Sequence, residues 1–418
     1  MRRGARRAAA VALLLAACRP PGPPPTVEAG LPSREPAVRI GVAVDVPEVE
    51  VGAAGDYELV APGGDVVARG RAGDRWTIAA DGNGRLTGRR GGNRFGPIDG
   101  PITVRPRGDG AVVVGGKRYR GGALVRSTGP RRVTAINTLY LEAYLLGVVP
   151  REIGKGRSES ELEAVKAQAV AARTYAIGHL GRRERLGFDF YATVADQVYG
   201  GLDDEDPIVS RAVRETRGEI LTYDGVPILA YYHSTCGGRT AAVEEVWNRA
   251  PLPYLKSVSD RIGRSDRYYC DTSNRFRWSE SWTGEQLRAI LRETLSAHTG
   301  RNVGRIDRVE EVAVEGHTPS GRVRSLRIRA DGSDYVVRGD SVRWVLRPEP
   351  GRSLNSALFV VDRDRRRGEV TALRVSGAGW GHGIGMCQVG ALGRARAGQD
   401  YGTILRTYYR GTELVRLY

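Results

Sequence analysis

From Ala37 to about Arg132 the apolar residues fall in short alternating runs, "VRIGVAV", "YELVA", "DVVARG", "GAVVVGG" and "GALVRS", separated by glycine turns. That period of two predicts antiparallel strands. Residues 72–99 are so rich in Gly and Arg that no element is assigned there. "RVTAINTLYLEAYLLGVV" then predicts a strand to Asn137 and a short helix from Leu139 to about Val148. Next comes "SESE" at 158–161, which matches a capping box with Ser158 as N-cap and Glu161 reaching back. Leu162, Val165, Ala169, Ala172 and Ala176 follow at spacings of three and four, one helical stripe ending near Gly178 or Gly181. Most of the stripe is alanine, so the helix can approach its neighbours closely and should be buried.

Further on, the pattern predicts a short helix at 208–217 and a hairpin in which "YDGVP" joins "EILT" to "ILAYYHS". An amphipathic helix with a Thr cap follows at 283–300. "GRVRSLRIRADGSDYVVRG" reads as strand, "DG" turn, strand. The chain closes with a Gly-rich turn, "GAGWGHGIGMCQVGA", and a helix from about Gln388 to Ala397. The expected fold class is α+β: a β-rich N-terminal region, a mixed central region around an Ala-rich buried helix, and a second β-rich segment closing with the Gly-rich turn and helix.

The N-terminus changes the picture. "MRRGARRAAAVALLLAAC" has a basic start and an apolar run from Ala8 to Ala17, the length of a signal peptide and too short to span a bilayer. It ends in "LAAC", which resembles the bacterial lipobox, with Cys18 as the lipidated residue. Residues 19–36 are proline-rich and read as an extended tether. The expected organisation is a lipoprotein signal at 1–18, the tether at 19–36, a β-rich region at 37–132 and a mixed domain at 133–418 with a β-rich part at about 283–370. The expected location is outside the cytoplasm, anchored to a membrane through Cys18 and facing the cell wall, in a periplasm or on the outer surface.

Composition adds less. The 418 residues are 41% hydrophobic and 27% charged, a globular balance. The net charge of +16 is nearly all arginine, the only lysines being Lys117, Lys155, Lys166 and Lys256. The arginines are scattered rather than clustered with aromatics, which argues against nucleic acid as a partner.

The candidate chemistry lies in blocks. "YLLGVVPREI", "EAVKAQAVAARTYA", "DQVYGG", "AVRETRGEIL", "AYYHSTCGGRTA", "YLKSVSD", "LNSALF" and "GWGHGIGMCQVGA" occur in this order between about Asn137 and Tyr409. Together they resemble the stage II sporulation protein D family, which also includes amidase enhancers. The resemblance implies a lytic transglycosylase that acts on peptidoglycan strands stripped of stem peptides and leaves 1,6-anhydro-N-acetylmuramic acid ends. By position, Glu152 matches the family's catalytic glutamate. No cofactor is needed for that chemistry. The competing class is a glycan-binding lipoprotein that recruits or activates a cell-wall amidase and cleaves nothing.

The chemistry fits one carboxyl. Glycosidic cleavage needs a proton on the leaving oxygen and a nucleophile at the anomeric carbon. The sugar's own 6-hydroxyl can be that nucleophile. A Glu with a pKa of about 4.3 is a poor acid at neutral pH and needs burial to keep its proton. "LLGVV" and Ile153 would supply burial; Lys155 and Arg157 would oppose it, or face the lactyl carboxylates of the glycan. Read alone, Glu152 is an ordinary solvated loop residue.

Five other residues are candidates for substrate contact: Arg173 in the Ala-rich helix, Gln197 and Tyr199 in "DQVYGG", and His382 and Gln388 in the Gly-rich turn. The plain alternatives are a solvated helix face for Arg173, a turn for Gln197 and Tyr199, and a packing role for His382 and Gln388. His233 and Cys236 in "HSTC", with Cys270, present imidazole and thiolate ligands suited to Zn²⁺. The resemblance also implies zinc at His and Cys near this place. A fourth ligand would have to be a carboxylate, another His or water, and a Cys236–Cys270 disulfide, which suits an exported protein, ranks ahead of zinc and of free thiols. Cys387 is left over.

Overall fold

The computed structural model describes residues 31–418 apart from Asp109. The signal segment, Cys18 and residues 19–30 of the expected tether lie outside the described residues. Helices and strands are both abundant, and the fold is α+β as expected. Among the described residues no helix is long and apolar enough to cross a membrane.

Alternating residues between Ala37 and Tyr140 build two largely antiparallel sheets of six strands each, and Phe190–Tyr191 adds a seventh strand to one of them, parallel to Ala37–Val46. The first and last strands of this stretch, Ala37–Val46 and Arg132–Tyr140, pair side by side. Inward residues of both sheets, such as Val51, Ile78, Val104 and Val125, join one continuous core. The Gly/Arg-rich stretch left unassigned supplies three strands, Trp76–Ala80, Leu86–Arg90 and Asn93–Ile98. Its apolar signal is sparse because few side chains face the core there: Trp76, Ile78, Ala80 and Leu86 are buried, and Phe95 and Ile98 pack against them in part.

The same core continues into the helices α1 (Leu141–Ile153), α2 (Leu162–Ile177) and α3 (Pro207–Glu215). The capping box is present at the turn before α2, with Glu161 accepting the Ser158 N–H at 3.0 Å. Within α2 only Glu163, Lys166 and Tyr175 keep partial exposure. Small side chains make that possible: α2 packs against α1, α3, the strand Glu219–Tyr223 and the helix Gln388–Arg396 at once.

The expected hairpin after α3 is cut short. Val226–Pro227 pairs with Thr222–Tyr223, and then the chain leaves the sheet. Tyr232–His233 pairs in parallel with Met386–Cys387 instead. That pairing joins the "AYYHSTCGG" block to the Gly-rich turn across more than 150 residues of sequence.

A second core sits over residues 282–375. The capped helix Gly284–Thr299 turns Leu287, Leu291 and Leu295 onto two three-stranded sheets. One sheet contains the expected hairpin, Ser325–Ala330 and Ser333–Arg338, with Asp331 and Gly332 both at positive φ in its turn.

Candidate active site

The helix expected to stop near Val148 runs on to Ile153. Glu152 is therefore on the last turn of α1 rather than in a loop. The helix dipole presents its negative end there, which disfavours a carboxylate. The Val198 N–H donates to Glu152 Oε1 at 3.2 Å, and the Tyr232 hydroxyl donates to the same carboxylate. Burial pushes the Glu152 pKa up to about 7, with these two hydrogen bonds acting in the opposite direction. The flanking cations do not reach it. Lys155 and Arg151 both pair with Asp204, and Arg157 lies 3.7 Å from Glu161. Glu152 has no ion pair among the described residues.

Two devices hold its partners. The Gly147 carbonyl accepts the Gly200 N–H at 3.0 Å, docking the "DQVYGG" loop on α1. A Cβ on Gly147 would lie 2.6 Å from the Tyr199 ring, so only glycine allows this approach. Gln197 holds Tyr232: its amide donates to the Tyr232 hydroxyl at 3.1 Å and to the Ala172 carbonyl at 3.3 Å, and it accepts from Tyr144 at 3.4 Å. Gln197 thus stands behind Tyr232.

The Gly-rich turn reaches the other side of Tyr232. His382 donates to the Tyr232 carbonyl and accepts the Ile384 N–H on Nδ1 at 3.0 Å. Burial pushes the His382 pKa down to about 4, so the ring is neutral. Both ring nitrogens are engaged by main chain, which makes His382 a support rather than a free donor to a glycan. Gly379, Gly381, Gly383 and Gly385 all have positive φ, which accounts for the alternating glycines.

Other expectations are corrected. Arg173 is fully buried; it clasps Glu142 through two bonds of 2.8 and 2.7 Å and donates to the Glu219 and Val213 carbonyls. It has no surface for a substrate. Tyr199 is also buried, its hydroxyl bonded to Asn137 at 3.0 Å and its ring against Tyr144 and Tyr119. Gln388 is turned inward onto Gln168 of α2 at 3.3 Å. The residues that reach Glu152 are Val198 and Tyr232, which stood out only as members of the quoted blocks. Trp380, two residues before His382, is about half exposed and carries Arg275 over its ring at 5.5 Å.

The expected ligand trio is corrected as well. His233 is buried with Nδ1 3.1 Å from the Ile384 carbonyl, and Nε2 has no partner. It stands outside the thiol group. Cys236 and Cys270 are unbonded, their sulfurs 3.5 Å apart, so the expected disulfide is not formed. Cys387, left over in the sequence, joins them, and so does Asp260, which no spacing pattern had marked.

On this α+β scaffold Glu152 is a buried carboxyl with two hydrogen-bond donors aimed at it and no ion pair among the described residues. Comparison with known proteins gives the family. The family described as "Stage II sporulation protein" matches residues 130–223, which hold Glu152 and Val198, and a domain of unknown function matches 261–385. Stage II sporulation protein D of Bacillus subtilis is 30% identical over 295 residues, 67% of this chain and 76% of that protein. An uncharacterised protein of Brachyspira hyodysenteriae is 34% identical over 67% of this chain and 68% of its own length. The amidase enhancer of Bacillus subtilis is 31% identical, with 65% of this chain matching 40% of that protein. The chain belongs to the stage II sporulation protein D family.

Proposed function

We propose that this protein is a peptidoglycan lytic transglycosylase in which Glu152 is the only catalytic carboxyl. The supporting observation is the Glu152 carboxyl itself: burial at the negative end of α1 raises its pKa to about 7, so a large fraction holds a proton at neutral pH. In the reaction, Glu152 donates that proton to the glycosidic oxygen as the C1–O bond breaks. The carboxylate then accepts the proton of the 6-hydroxyl as its oxygen closes on C1, giving the 1,6-anhydro ring and regenerating the acid. The Tyr232 hydroxyl and Val198 N–H stabilise the carboxylate between the two steps. No water and no second carboxylate take part. The substrate class is the glycan strand of peptidoglycan, stripped of peptides, and the protein works outside the cytoplasm, tethered through lipid on Cys18.

The relative named amidase enhancer favours a second reading, a lipoprotein that binds glycan and activates an amidase. The two readings separate on denuded glycan strands analysed by mass spectrometry. The wild type should release anhydro-muramyl products and Glu152→Gln should release almost none. A wild type that releases none ends the enzyme reading. A Glu152→Gln variant with full release ends the assignment of Glu152.

A further inference from the structure

Behind Tyr232, three thiols and one carboxylate converge. The Sγ atoms of Cys236, Cys270 and Cys387 and a carboxylate oxygen of Asp260 all lie within 4.8 Å of one another, and all four residues are buried. Cys236 Sγ is 3.5 Å from Cys270 Sγ and 3.3 Å from Asp260 Oδ2. A tetrahedral Zn²⁺ with Zn–S bonds of about 2.3 Å places its sulfurs about 3.8 Å apart. A disulfide needs two sulfurs; four donor atoms within 4.8 Å of one another make up the ligand number of a closed metal site.

We propose that Cys236, Cys270, Cys387 and Asp260 form a structural Zn²⁺ site that fastens the "HSTC" segment, the 260–270 loop and the end of the Gly-rich turn to one another. His233 is excluded from it. The proposal is independent of the proposed activity.

The surroundings are arranged for anionic donors. Asp260 Oδ1 accepts from the Tyr408 hydroxyl at 2.7 Å and from Arg394 Nη2 at 2.9 Å, which leaves Oδ2 aimed at the sulfurs. Cys387 Sγ accepts the Cys236 N–H at 3.2 Å and the Gly390 N–H at 3.3 Å. Cys270 receives the N–H groups of Gly237 and Gly238. Such outer partners orient metal ligands. Gly390 makes the fit possible: a Cβ there would lie 2.1 Å from Asp260 Oδ2 and 2.3 Å from the Tyr408 hydroxyl oxygen.

Charge points the same way. Three thiolates and a carboxylate cannot share a buried space without cations. Arg394 pairs with Asp260. A bound dication together with the Arg394 guanidinium would offset most of the negative charge of the four donors. Three sulfurs and one oxygen in a buried set of four suit zinc rather than magnesium or calcium.

The test is elemental analysis of the full chain purified without chelator. About one zinc per chain is expected, and Co²⁺ exchanged into the site should show thiolate-to-cobalt charge-transfer absorption. Cys387→Ser and Asp260→Asn should each lower zinc affinity at least about tenfold, while His233→Ala keeps it. Cys387→Ser changes one atom, so a folded protein is expected for that variant, and its circular dichroism checks this. Metal-free protein yielding Cys236–Cys270 cross-linked peptides would overturn the proposal. So would zinc that survives Cys387→Ser but is lost in His233→Ala.

Discussion

α1 carries a glutamate at each end, and the two have opposite fates. Glu142, in the first turn, lies at the positive end of the dipole. It is buried and matched by Arg173, by the Gly218 N–H at 3.2 Å and by the Tyr418 hydroxyl at 2.9 Å. Glu152, ten residues on, lies at the negative end with two neutral donors and no cation. The first is a buried charge with every oxygen answered, which is structure. The second is a carboxyl whose charge is only partly answered, which is reactivity. What separates them is the choice of partner.

The comparison breaks most visibly at Glu152. Glu152→Gln should lower anhydro-product release by ~10²–10⁴-fold, measured by mass spectrometry on denuded strands. The fold should not suffer. Above the ordinary carboxylate pKa the unfolded chain has released this proton while the folded protein still holds it, up to about 7. Wild type therefore loses stability as pH rises through that window, and Glu152→Gln does not. Between pH 4 and pH 8 the variant should gain up to ~3 kcal/mol of stability relative to wild type in urea unfolding.

Arg173→Met tests the other end. It leaves Glu142 buried without its cation and should cost ~3–5 kcal/mol in the same unfolding measurement. If the variant is as stable as wild type but inactive, Arg173 belongs to the chemistry and the contrast collapses. A smaller effect is expected at Gly147→Ala, where the new methyl displaces the Tyr199 ring and with it the Val198 donor. The expected destabilisation is ~1–3 kcal/mol, with release reduced by more than the loss of folded protein explains.

The finest test is the pH profile. Because Glu152 must start protonated, wild-type release should fall as pH rises through about 7. The Tyr232 hydroxyl favours the charged form. Tyr232→Phe should therefore move that alkaline limb upward by about half to one pH unit. A limb that moves down, or stays, separates Tyr232 from Glu152.

Much of the local structure was legible in the chain. The Ser158 cap, the alanine stripe of α2, the Thr283 cap and the "DG" turn each rest on neighbours a few residues away. The errors have a common cause. α1 continues past Pro150 because its last turn is held by burial of Val148, Val149 and Ile153. The 72–99 strands form because they pair in a sheet, although their own apolar signal is thin. Tyr199 sits in a motif block beside Val198, a true neighbour of Glu152, and Arg173 in a block that holds none, yet both side chains turn into the core, and a motif does not record direction. Asp260 had no spacing to mark it, since it meets the three thiols only through the fold.

Residue order alone determined the α+β class, the family blocks and the one glutamate with a catalytic reading, because these depend on short-range periodicity and motif order. Only the tertiary structure decided that Glu152 is desolvated, that Lys155 and Arg157 are held by other carboxylates, and that Cys387 and Asp260 rather than His233 complete the thiol group. Desolvation and convergence of donors are properties of what lies across space from a residue. Apart from Glu161, four residues from Arg157, those partners stand 24 to 151 positions away in the chain.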